Sequence, residues 1–74
     1  MRIQFKTDVT ANVIVSFDED SETAETDVVN FHQGDEIDID ICDVALPPLA
    51  REIQFGDGSV AFVTPDFWAV VEIL

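Results

Sequence analysis

The chain has 74 residues, 47% of them apolar, and sets sixteen Asp and Glu against three Lys and Arg for a formal net charge of −13. That length holds one domain, residues 1–74, which buries only about 60% of its unfolded surface, and six Phe argue against a disordered acidic chain. The negative field repels nucleic-acid phosphates and anionic bilayers and attracts basic proteins.

No apolar run approaches the roughly 18 residues of a membrane span, and the opening MRIQFKTD lacks the apolar stretch of a signal peptide. A cytoplasmic protein is expected. Cys42 is the only cysteine, so neither an intramolecular disulfide nor a cysteine-based zinc site has its parts.

Taken in chain order, Ile3 and Phe5 alternate with Arg2, Gln4 and Lys6, which predicts a short first strand whose polar face can pair with acids elsewhere. The odd positions Val9, Ala11, Val13, Val15 and Phe17 predict a second strand with one strongly apolar face. Asp18 to Asp27, DEDSETAETD, holds six acids in ten residues and no large apolar side chain, so it is expected at the tip of a long hairpin. Val28, Val29 and Phe31 would then form the descending arm opposite residues 13–17. Gly34 permits a tight turn. Over residues 36–43, Ile37, Ile39 and Ile41 alternate with Asp38 and Asp40, a strand with one buried and one wetted face.

Pro47-Pro48 ends that ladder and places a loop over residues 44–50. Ile53 and Phe55, then Gly56-Asp57-Gly58, then residues 59–63 predict a tight hairpin. Thr64-Pro65-Asp66-Phe67-Trp68 reads as one helical turn, with Thr64 able to cap and Pro65 suited to the first helical position. Val70, Val71, Ile73 and Leu74 supply a closing strand.

The pattern is all-β, with five or six short strands and one helical turn, as in a small closed or nearly closed barrel. The order of a long acidic hairpin, VNFHQGDEIDI, a variable loop, the GDG hairpin and TPDFWAVVEI resembles an SH3-like barrel over nearly the whole chain. In that resemblance DEDSETAETD stands for the long first loop, VNFHQGDEIDI for the diverging turn and its strand, and residues 65–68 for a short 3-10 turn. The resemblance implies that Pro65 and Trp68 belong to a groove for proline-rich peptides, beside an acidic loop that receives Arg or Lys. The chain departs from the family in having no Tyr and in carrying Arg51-Glu52 where a groove tryptophan is expected.

The candidate partner-binding residues are therefore Asp18, Glu19, Asp20, Glu22, Glu25 and Asp27 at the hairpin, Asp38 and Asp40 on the central strand, and Pro65, Phe67 and Trp68 at the helical turn. Each has a plainer reading, as a solvated acidic face or as aromatics closing the end of the core. Asp18, Asp20 and Glu22 have calcium-loop spacing but lack the glycine and distal bidentate glutamate of an EF-hand. His32 stands alone, and Cys42 shares the parity of Asp38 and Asp40, where negative neighbours disfavour a thiolate. No catalytic constellation, metal site or cofactor cradle is legible, and an enzyme is not expected.

The expected function is a small acidic interaction module or inhibitor that engages a basic surface of a partner protein. Thirteen net charges match about 22 Å of duplex DNA, so DNA mimicry follows if the acids gather on one face. In size and composition the chain also resembles small acidic SH3-like proteins of tailed phages. The alternatives are a structural or assembly accessory, burying an edge strand or Phe67 and Trp68 against another subunit, and a surface adapted to high salt.

Overall fold

The alternating runs fold as strands wherever one parity is apolar. In the computed structural model, which describes residues 1–74, these are β1 (Arg2–Phe5), β2 (Val9–Asp18), β3 (Thr23–Phe31), β4 (Glu36–Ile41), β5 (Glu52–Phe55), β6 (Val60–Phe62) and β7 (Val71–Ile73), with helix α1 (Pro65–Ala69) before β7. All seven strands join one antiparallel sheet in the order β3-β2-β6-β5-β4-β1-β7.

Local chemistry makes the turns. Gly34 and Gly58 sit at φ +92° and +91°, a region that L side chains avoid. Beside them, Asp35 accepts the His32 N–H at 2.8 Å, and Asp57 accepts the Ser59 N–H at 2.9 Å and its hydroxyl at 2.6 Å. Pro65 opens the helix as expected, but Thr64 makes no side-chain capping bond, and the turn is α-helical over five residues where a 3-10 turn over residues 65–68 was expected.

The apolar parities share one face of the sheet. Ile73, Ile3 and Ile37 lie in one cross-strand row, and Ile41, Ile53 and Ala61 in another. Ile3, Phe5, Val13, Ile39, Ile53, Trp68 and Val71 are buried there. Five strand steps separate β1 from β3, roughly 24 Å in a flat sheet. Yet the Phe5 and Phe31 rings stack with centroids 4.4 Å apart, and Phe31 stacks on Phe55 at 5.7 Å. The sheet is therefore coiled tightly around its apolar face.

Three expectations are corrected. The sheet has seven strands and is not closed: no ladder joins its edge strands β3 and β7, and β2 meets β6 at the single pair Ile14–Val60. The acidic run is mostly strand, since β2 continues to Asp18 and β3 begins at Thr23, leaving a four-residue turn over residues 19–22. The hairpin register also differs, because Val28, Val29 and Phe31 pair with Asn12, Ala11 and Val9, while residues 13–18 pair with the acidic segment. A bulge at Val15 adds one residue to β2, so Ile14 opposes Thr26 but Ser16 opposes Glu25. Parity reverses across such an insertion, and Phe17 leaves the face of Val13 for the opposite one.

Candidate functional site

The chain's end of densest charge is the far half of the β2–β3 hairpin. Every second residue of β3 shares a face, so Glu25 and Asp27 continue the inner face of Val29 and Phe31 beyond the reach of the core. Ala24, Thr26 and Val28 lie on the outer face with Ile14 and Phe17. At the turn, the Asp18 carboxylate accepts the Asp20 N–H at 3.0 Å, and Glu22 adopts φ 54°. Ser16 donates its hydroxyl to Glu25 at 3.1 Å. Asp18, Glu19, Asp20, Glu22, Glu25 and Asp27 are all exposed, and none has a Lys or Arg partner.

The second group lies on the outer face of β4. Glu36, Asp38 and Asp40 are exposed there, with Cys42 exposed beyond them as a free thiol. Asp38 is not a free carboxylate. Arg2 opposes it across the ladder and donates from Nε and Nη2 to its two oxygens, each at 3.1 Å. That fork of hydrogen bonds, followed by the charge of Arg2, lowers the pKa of Asp38. The polar face of β1 thus finds its acid, and Asp38 serves the β1–β4 ladder while Asp40 stays free.

Asp43 is likewise structural. Its carboxylate accepts the Ala45 N–H at 2.7 Å and the Arg51 N–H at 2.9 Å, bridging the two ends of the loop after β4, and both bonds lower its pKa.

The helical turn divides its three candidates. Trp68 is only 7% exposed and donates its indole N–H to the Ala50 carbonyl at 2.7 Å, so it belongs to the core, with one edge lining a shallow groove beside Pro47 and Pro48. Phe67 is half-buried, edge-on to both Phe5 and Trp68, and Pro65 is exposed. A groove of about 440 Å³ opens where β2 and β6 diverge, lined by Val9, Ala11, Phe55, Phe62, Val63 and Phe67 among others. Phe67 faces it; Trp68 does not.

The sheet brings the hairpin acids together at one end and the β4 acids on one outer row, but on opposite faces of the sheet. No three His, Cys, Asp or Glu side chains gather closely enough to hold a metal ion, Asp18, Asp20 and Glu22 included. His32 lies in the turn before β4, with Nδ1 3.7 Å from Asp35. No helix is long and apolar enough to cross a membrane.

Sequence reasoning missed the outer apolar face of the hairpin, where Phe17 and Val28 are 60% and 55% exposed. It also missed the apolar loop side chains Val44, Leu46 and Leu49, all exposed. Only Ile14, the one break in the odd-parity run, hinted at the first. Comparison with protein-family models, curated proteins and solved structures returned no match to this chain.

Proposed function

We propose that this chain is a small acidic interaction module or inhibitor, built on an SH3-like barrel, that docks on a basic surface of another protein with its hairpin leading. One observation carries the reading: six exposed carboxylates, three on the paired strands and three in the turn, stand at the end of a nine-pair hairpin with no Lys or Arg ion-pair partner. A paired hairpin presents its charges with little ordering cost on binding, unlike a mobile acidic loop. Opposite charge on the partner then speeds encounter and fixes register.

The SH3-like scaffold draws support from the order of elements, with β1 held between β4 and β7 and a helical turn preceding the last strand. DNA mimicry is the sharper variant of the same reading. It rests on the hairpin end alone, because Glu25 and Asp27 lie on the face opposite Glu36 and Asp40. A phage-encoded, host-directed inhibitor is the biological setting that suits the size and charge.

The test is affinity capture from the native host's lysate with the wild type and with a variant carrying Asp18→Asn, Glu19→Gln, Asp20→Asn and Glu22→Gln. A basic protein held by the wild type at low salt, released at high salt and lost in the variant supports the reading. Equal capture by both proteins sinks it. The rival reading, an assembly accessory, draws on exposed Val44, Leu46 and Leu49; a monomer by light scattering at micromolar concentration removes its self-associating form.

A further inference from the structure

The sheet has two edges, and they differ in kind. β7 is three residues long, and an edge that short offers little template. β3 is nine residues long, exposed along most of its length, and paired only on the β2 side. Its sequence TAETDVVNF carries no Lys, Pro or Gly, and the hairpin's bulge lies in β2. Lys, Pro and bulges are usual means of blunting an edge, as are inward-facing charges, which β3 does carry at Glu25 and Asp27. The Val28 N–H is taken by the Asp27 carboxylate at 2.8 Å, and no strand pairs with the rest of that edge.

The two faces of that edge ask for different side chains. Glu25 and Asp27 occupy one face, and Ala24, Thr26 and Val28 the other. A second copy of the chain does not suit: antiparallel self-pairing centred on residue 25, 26 or 27 sets carboxylate opposite carboxylate, which is destabilising, and each copy brings a charge of −13. We infer that β3 receives one extended strand of a basic partner, with alternate Lys or Arg facing Glu25 and Asp27 and β-branched residues covering Ala24, Thr26 and Val28. The inference rests on the proposed docking to a basic partner and names its mode as strand addition. Main-chain bonds give affinity, and the two acids give register and direction of charge.

The experiment titrates the isotopically labelled full chain with a capped peptide of alternating Lys and Val, about as long as the nine residues of β3, while NMR follows amide exchange. The control peptide has the same charge, with Pro replacing two of the Val. The alternating peptide is expected to bind about tenfold more tightly than the control and to slow amide exchange along β3. The E25Q/D27Q variant, altered only at exposed positions, is expected to weaken it by about tenfold; its circular dichroism verifies that it is folded. Equal binding of the two peptides, protection away from β3, or unchanged affinity of the variant overturns strand addition and leaves docking by charge standing. Binding of neither peptide at low salt overturns both.

Discussion

Trp68 shows how a single polar atom decides between two roles. Its ring could have stood open to a groove, but the indole N–H is spent on the Ala50 carbonyl, which fixes the helical turn against the loop after β4. Trp68→Phe removes the donor and leaves that carbonyl unpaired, at a cost of about 1–3 kcal/mol, read by urea unfolding followed by circular dichroism. Asp57 is held below the ordinary aspartate range by the Ser59 hydroxyl first and the Ser59 N–H second. A carboxylate whose folded pKa is depressed contributes stability above its unfolded value, and that contribution is lost as pH falls through the folded value. The stability difference between wild type and Asp57→Ala is therefore expected to be largest near neutral pH and to shrink by about pH 2, below the ordinary aspartate value. Urea titrations at the two pH values check it; a difference that grows on acidification contradicts the assignment. The Asp57-Gly58 turn was legible beforehand because its chemistry is local, whereas the Trp68 bond spans 18 residues of sequence.

In the β2–β3 hairpin, alternation gave the strand but not its faces. Val9, Ala11 and Val13 face the core as their spacing predicts, and the extra residue at Val15 then turns Phe17 outward. Phe17→Thr is expected to change stability by no more than about 0.5 kcal/mol. Val13→Ala, which removes two methyl groups from a site 2% exposed, should cost about 2 kcal/mol. Thermal or urea unfolding of both variants decides the matter, since an unbroken alternation would make Phe17 the more costly site. The bulge was illegible because it depends on how the partner strand closes, and DEDSETAETD carries no large apolar side chain that would mark a register. Composition says only that those residues stay in water; the backbone pairing that makes them strand leaves no trace in side-chain polarity.

For the whole molecule, the opposing terms are a small core and a large uniform charge. Nine buried apolar residues form the core, while sixteen acids share the surface with one Arg–carboxylate ion pair. An exposed pair of that kind contributes about 0–1 kcal/mol, so screening the general repulsion outweighs weakening it. The thermal midpoint is expected to rise between about 0.01 and 1 M salt, as the Debye length falls from about 30 to about 3 Å. A flat or falling midpoint in calorimetry counts against that balance. The body is elongated, 38 × 26 × 19 Å.

The sequence alone determined the all-β class, the parity of Ile37, Ile39 and Ile41, the turns at Gly34 and Asp57-Gly58, and the negative field, because each depends on residues within a few positions or on a sum over the chain. Tertiary structure decided that Asp38 is tied to Arg2, that Trp68 is core, that the acids divide between two faces, and that β3 is left as a long unpaired edge. Those outcomes are set by which strands meet and in what register, and a register is the joint choice of two segments. Neither one carries it by itself.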